Sequence, residues 1–114
     1  MNVPLILLEA LLLTLIIELI VALILSVRDK KDILNIILVN VITNPALVTM
    51  QLLLYVNFGY KVELIGIIIM EILVVFIEGL IYKKELKYNA INPFLLSLLL
   101  NASSLFIGKV ISML

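Results

Sequence analysis

The sequence contains no cysteine, no histidine and no tryptophan, and only 14% of its 114 residues are charged. The absence of cysteine excludes disulfides, thiol catalysis and thiolate metal sites. The absence of histidine removes the commonest transition-metal ligand and the usual proton-exchanging group near neutral pH. Any chemistry must therefore use carboxylates, amides, hydroxyls and the backbone. A formal net charge of zero gives no overall field to attract nucleic acid, so no nucleic-acid partner is expected.

Apolar side chains dominate what is present. Hydrophobic residues make up 65% of the chain, and its mean hydropathy is +1.34. Soluble domains are about 45–50% apolar and about 25% charged. A soluble fold of this length would expose apolar patches far larger than soluble monomers tolerate. The composition therefore predicts an integral membrane protein whose surroundings are the lipid bilayer.

Four apolar runs are long enough to cross the hydrocarbon core, which takes about 20 residues of helix. They cover residues 4–27, 33–56, 64–82 and 91–113. Short loops make consecutive helices antiparallel. We therefore expect an all-α, multi-pass protein in which residues 1–114 form one transmembrane domain, a compact up-down four-helix bundle.

Basic residues are concentrated in two of the three loops, 28–32 and 83–89. These loops contain Arg28, Lys30, Lys31, Lys83, Lys84 and Lys87, while the opposite side has Lys61 and Lys109. Basic residues in short loops favour the cytoplasmic side. The sequence predicts a cytoplasmic-membrane protein with both basic loops in the cytoplasm and both termini outside.

The two halves of the chain resemble each other faintly. Glu18 lies twelve residues before Lys30, and Glu71 lies twelve before Lys83. With a four-residue insertion in the second loop, Asn40 then corresponds to Ser97 and Asn44 to Asn101. This pattern predicts two parallel helical-hairpin repeats, related by a pseudo-twofold axis along the membrane normal. Leucine-rich helices also align by chance, so similarity without true repetition stays open.

The informative residues are the acids that hydrocarbon penalises. Four fall inside the predicted spans: Glu9, Glu18, Glu71 and Glu78. A charge at the centre of a membrane helix costs about 2.5–3.5 kcal/mol on insertion scales. No lysine or arginine lies deep enough to pair with them, so they must be protonated, hydrogen-bonded or neutralised by a cation.

Each predicted helix has one polar stripe, and such stripes must face one another or a water-filled cavity. On the third helix, Glu71 and Glu78 share a face that Tyr82 continues. The depth of each polar side chain can be estimated by counting residues from the predicted cytoplasmic end of its helix. One layer then lies near the midplane and comprises Glu18, Glu71, Asn44 and Asn101. A second layer nearer the cytoplasm comprises Glu78, Asn40 and Ser97. The hydroxyls of Thr43 and Ser104 lie close to these layers.

Such an all-oxygen environment suits Na⁺ or a hard divalent cation, or a relay of H⁺. We therefore expect a small cation or proton transporter, or an ion-conducting subunit. Glu18 and Glu71 are the candidate metal or ion ligands, Asn44 and Asn101 supply neutral oxygens, and Glu78 is an inner relay. Asn40 and Thr43 complete the candidate site. A bundle this narrow also predicts a homo-oligomer, a dimer or larger.

Pro45 interrupts the second predicted helix and frees a carbonyl near Val41. Such a break is tolerated in a membrane only where it is buried or faces a cavity. It either offers a backbone oxygen to the site or merely kinks the helix.

Two other interpretations remain. The first is a non-catalytic assembly or accessory protein that binds a larger membrane partner through its polar helix faces, which predicts outward-facing acids. The second is an enzyme acting on a lipid or isoprenoid phosphate through acid-bound Mg²⁺, for which Asp29 and Asp32 are the candidates. A solvated turn explains these two aspartates better. The intramembrane polar residues also suit simple hydrogen bonding between helices.

Overall fold

A computed structural model of the protein describes residues 2–114, and these residues form four α-helices and no strand. The helices are α1 (Val3–Ile24), α2 (Lys30–Phe58), α3 (Tyr60–Glu85) and α4 (Pro93–Ser112). All four are long and apolar enough to cross a membrane. The predicted all-α fold is therefore confirmed, and the chain is a multi-pass membrane protein.

Side chains at the helix starts explain where three helices begin. Asn2 accepts a hydrogen bond from the N–H of Leu5 at 3.1 Å and caps α1. Asp29 caps α2 and Asn92 caps α4 in the same way. These residues satisfy N–H groups that the helix itself leaves free. Pro93 occupies the first turn of α4, where its missing N–H costs nothing.

A single residue, Gly59, connects α2 to α3. Its φ of +86° with ψ of −177° lies in a region that essentially only glycine adopts. The sequence predicted a seven-residue break here, between residues 56 and 64. Polar residues at a membrane surface continue a helix readily, because water satisfies their side chains. Both helices therefore run on to the glycine.

The helices form a square bundle in which each contacts its two neighbours in the order α1, α2, α3, α4 and back to α1. The bundle measures 41 × 24 × 22 Å. Residues 25–29 and 86–92 lie together at one end, called the loop end. Gly59, Asn2 and Leu114 lie at the other, called the terminal end.

The outside of the bundle is apolar and the inside is divided in two. Ile42 is 74% exposed and Phe106 71% exposed, as expected of side chains that face lipid. The buried apolar cluster consists of Ala22, Val27, Ile36, Val39, Tyr82, Leu96 and Leu100. All of its members lie between the bundle centre and the loop end. The interior of the other half contains a cavity lined by both polar and aliphatic side chains.

The loop end is tied together by Asp32, which is 1% exposed. Its carboxylate accepts the N–H groups of Lys87 and Tyr88, each at 2.9 Å. The Tyr88 hydroxyl in turn donates to the Leu25 carbonyl at 2.7 Å. Asp29 caps α2 and lies 4.0 Å from the Lys87 ammonium. The two aspartates considered for phosphate chemistry therefore hold the connections between helices.

Candidate functional site

Two glutamates lie at the centre of the bundle. Glu18 of α1 and Glu78 of α3 are both fully buried. The ion pair found within residues 2–114 joins Lys87 to Asp29. It lies at the loop end, away from the two glutamates. Neither glutamate is therefore neutralised by a basic side chain of the described chain. Their contacts are amides and hydroxyls.

Glu18 is held by two neighbouring helices. Its Oε1 accepts from the Asn40 side-chain amide of α2 at 3.1 Å, and its Oε2 lies 3.0 Å from the Ser104 hydroxyl of α4. The same Asn40 nitrogen donates to the carbonyl of Ile36 at 2.9 Å. That second bond fixes the amide in the orientation that serves Glu18.

Glu78 has a matching set of partners. Its Oε1 accepts from the Asn101 amide of α4 at 2.7 Å, and its Oε2 lies 2.8 Å from the Thr43 hydroxyl of α2. Asn101 also donates to the carbonyl of Ser97 at 2.9 Å. Each glutamate thus receives an amide from its own hairpin and a hydroxyl from the other hairpin.

The two sets correspond residue by residue. Glu18 matches Glu78, Asn40 matches Asn101, and Thr43 matches Ser104. The buried neighbours match in the same register, as Ala22 with Tyr82, Ile36 with Ser97, and Val39 with Leu100. The site therefore has pseudo-twofold symmetry, with α1–α2 as one half and α3–α4 as the other. The Glu–Asn–hydroxyl arrangement joins all four helices in one closed ring.

The predicted register of the repeat was wrong, because Glu18 corresponds to Glu78 and not to Glu71. The prediction aligned Lys30 with Lys83 as equivalent turns. In the structure Lys83 belongs to the last turn of α3, whereas Lys30 begins α2. Counted from the helix ends, Glu18 lies six residues before the end of α1 and Glu78 seven before the end of α3.

The predicted division into two layers was wrong for the same reason. Glu18, Glu78, Asn40, Asn101 and Thr43 form one layer rather than being split between two. Ser97 lies one turn nearer the loop end, where its hydroxyl donates to the carbonyl of Val75 at 2.9 Å. Asn44 and Glu71 lie one and two turns nearer the terminal end.

Asn44 and Glu71 face a cavity instead of the central ring. The Asn44 amide nitrogen donates to the Thr14 hydroxyl at 3.1 Å. Its Oδ1 is buried and has no hydrogen-bond partner among the described residues. Glu71 is half-buried and lines the same space.

The cavity has a volume of about 290 Å³ and is lined by all four helices. It extends from Glu18 and Asn101 to Lys109 and Ser112, which are exposed in the last turns of α4. Toward the loop end it stops at the ring, beyond which the apolar cluster fills the bundle. Glu18 therefore lies at the deep end of a cavity that begins at the terminal end, and Glu78 adjoins the cavity through its partners Thr43 and Asn101.

Tyr82 closes the bundle directly below the ring. It is 1% exposed and lies one helical turn from Glu78 on the same face. Its hydroxyl is buried without a hydrogen-bond partner inside the described chain. The sequence placed Tyr82 on the same helix face as Glu78, but it did not predict that the side chain would be buried. Ser104, noted in the sequence only as a nearby hydroxyl, proves to be a direct partner of Glu18.

The hydroxyls of Thr43 and Ser104 can hydrogen-bond to either protonation state of their glutamates. Thr43 Oγ lies 2.8 Å from Glu78 and 3.0 Å from a main-chain carbonyl of its own helix. Ser104 Oγ lies 3.0 Å from Glu18 and 3.0 Å from a carbonyl of α4. A hydroxyl has one proton and can also accept. It donates to an ionised carboxylate, or accepts from a protonated carboxyl while donating to the backbone. Both protonation states fit without moving a helix.

The same oxygens limit the kind of metal site that is possible. No group of three or more acidic side chains in residues 2–114 lies close enough to hold a metal ion together. A hard divalent cation takes six or more oxygen ligands. A cation between Glu18 and Glu71, as the sequence suggests, therefore needs amide, hydroxyl or water oxygens to complete its shell.

No protein-family model matches the chain, and neither a characterised protein sequence nor a solved structure resembles it significantly. Its function is therefore inferred from the central carboxyls, their hydrogen bonds and the cavity that reaches Glu18.

Proposed function

We propose that this chain is a small membrane cation/proton transporter, or an ion-conducting subunit, whose titrating groups are Glu18 and Glu78. One observation supports this most strongly. Two buried carboxyls have no basic partner, and each has a hydrogen-bond set that fits its protonated and its ionised form. Glu18 lies at the deep end of the cavity, which also reaches Thr43 and Asn101, the partners of Glu78. Such carboxyls are typical of proton and ion pathways in membranes.

A purely structural role explains the ring less well. Hydrogen bonds between membrane helices contribute only about 0.6–2 kcal/mol each. Glutamine would make comparable bonds at positions 18 and 78 without the cost of placing an ionisable group in hydrocarbon. Acids at these positions therefore favour a function that needs their charge or their proton.

The cavity suggests the order in which groups act. Glu71 lies between the mouth and the ring, so an entering cation meets its carboxylate first. The unpaired Oδ1 of Asn44 lies one turn closer to the ring. Glu18 and Glu78 then exchange a proton for the cation, because their ionised forms attract it and their protonated forms do not.

Orientation belongs to the same proposal. Six of the eight basic residues lie at the loop end. The positive-inside rule places that end in the cytoplasm. In this orientation loops 28–32 and 83–89 are cytoplasmic, both termini are outside, and the cavity opens outside the cell. A bundle this narrow also favours a homo-oligomer of at least two copies.

The assembly-protein alternative predicts acids that face outward. Glu9 is exposed near the terminal end, and Glu85 is exposed at the loop end. Glu18 and Glu78 instead point into the bundle, where a partner protein cannot reach them. The transporter proposal therefore accounts for the central residues better.

Flux from proteoliposomes tests the proposal. Purified protein is reconstituted with a pH dye and with gradients of Na⁺, K⁺, Mg²⁺, Ca²⁺ and Mn²⁺. We expect Glu18→Gln and Glu78→Gln to lower flux at least tenfold, since glutamine preserves size but not titration. Glu9→Gln, an exposed position on the same helix as Glu18, is the matched control and retains flux. A folded wild-type protein that passes none of these ions contradicts the proposal.

A further inference from the structure

We propose that the cavity binds a small organic monocation whose charged end has N–H donors, such as a primary alkylammonium or a guanidinium compound. The inference rests on the proposed transport function and names its substrate class.

The size of the cavity exceeds what a bare ion needs. Its volume is about 290 Å³. One water molecule takes about 30 Å³ of liquid, so the space holds roughly ten waters. Pockets for small molecules begin at about 300 Å³. The cavity therefore suits a molecule of a few heavy atoms better than a dehydrated metal ion.

Polar side chains in the cavity lining offer acceptors for such a molecule. Glu71 contributes a half-buried carboxylate, and Asn44 contributes a buried carbonyl oxygen that has no partner in the part of the chain described. Glu18 lies at the deep end. An ammonium group has three donors and a guanidinium five. A cation with N–H donors would satisfy the Glu71 carboxylate directly, and the Asn44 Oδ1 once that side chain turns toward the cavity.

Aliphatic side chains from all four helices complete the cavity lining. They are Leu13, Leu47, Val48, Val74 and Leu105. Such a lining suits a short alkyl body attached to the charged group. The lining, taken from residues 2–114, contains no aromatic side chain. Quaternary ammonium ions rely on aromatic faces, so they fit this cavity poorly.

A basic side chain at the mouth of the cavity disfavours ligands that carry a second positive charge. Lys109 is exposed there and lines the outer part of the space. A ligand with cationic groups at both ends places one of them next to this ammonium. Such repulsive elements are a common source of specificity. Monoamines are therefore favoured over diamines of similar length.

Calorimetric titration of the purified full-length chain in detergent tests this substrate class. The probes are butylammonium, guanidinium, tetramethylammonium, 1,4-diaminobutane and Na⁺. We expect butylammonium or guanidinium to bind at least tenfold more tightly than tetramethylammonium and the diamine. Equal affinity for tetramethylammonium overturns the inference, because that ion has no N–H donor.

Asn44 variants show whether binding occurs in this cavity. Asn44→Leu removes the unpaired acceptor, and we expect at least a fivefold loss of affinity. Asn57→Leu is the matched control, because Asn57 is exposed on the same helix and outside the cavity. Asn44→Asp keeps the acceptor and is expected to bind as tightly as the wild type or more tightly. If Asn44→Leu does not fold, weaker binding by Asn44→Asp than by the wild type overturns the inference.

Failure of this inference is distinguishable from failure of the transport proposal. Proteoliposomes that pass protons or metal cations, from a protein that binds no amine, leave the transporter intact and overturn the organic substrate. A protein that shows no ion flux and binds no amine overturns both proposals. Flux of butylammonium that is lost in Glu71→Gln and Asn44→Leu supports both.

Discussion

At the scale of single residues, the hydroxyls that face the two glutamates are the least expected part of the site. Thr43 and Ser104 sit three residues after Asn40 and Asn101, so each of α2 and α4 contacts both carboxyls. The pattern Asn-x-x-Thr/Ser occurs in both halves of the sequence and signals this arrangement. It was hidden because the acids were aligned in the wrong register.

Removing these hydroxyls tests their role. We expect Thr43→Val, which keeps the shape, to lower flux at least fivefold, because the ionised Glu78 loses a donor. Stability should fall by only about 0.6–2 kcal/mol, the usual contribution of such a bond in membranes. Thr43→Ser keeps the hydroxyl and should restore flux, which separates hydrogen bonding from packing. Full flux in a folded Thr43→Val protein argues that the hydroxyl does not serve the carboxyl.

At the scale of helices, the number and type of elements follow from the sequence, but their ends do not. Run length and hydropathy were enough to predict four spans. Lys83, Lys84 and Glu85 read as a loop, yet they continue α3, because charged side chains in the last turn reach water. That one difference shifted the inferred repeat by two helical turns.

Close packing of α3 against α4 depends on Gly79. A methyl group added there would collide with the ring of Phe94, and Gly79 is buried beside Glu78. We expect Gly79→Ala to destabilise the bundle by about 1–3 kcal/mol, the usual cost of overpacking. Gly108→Ala is the control, since an added methyl group there meets no atom within 4 Å. Thermal unfolding in detergent compares them, and equal midpoints contradict this packing.

At the scale of the whole molecule, the asymmetry of the interior was beyond sequence reasoning. The polar stripes predicted two polar layers, one near the midplane and one nearer the cytoplasm. The structure instead has an apolar cluster at the loop end and a cavity at the terminal end. Whether a stripe meets a cavity or a packed core depends on how side chains from four helices fill the same level, and no single helix reveals that.

One-sided access can be measured because the chain has no native cysteine. A water-soluble thiol reagent added from the terminal side should label Gln51→Cys in the cavity. Ile36→Cys, in the apolar cluster, should react at least tenfold more slowly. Asn89→Cys in the exposed loop should react only from the opposite side. Rapid labelling of Ile36→Cys contradicts a sealed loop end.

Proton release on cation binding is the most direct test of the central claim that Glu18 and Glu78 exchange protons for a cation. Purified protein in weakly buffered detergent is titrated with each candidate cation while a pH dye reports released protons. We expect the wild type and Glu9→Gln to release protons on addition of the transported cation, and the Glu18→Gln/Glu78→Gln double variant to release none. Equal release from the double variant and the wild type would contradict the claim, as would no release from a wild type that binds the cation.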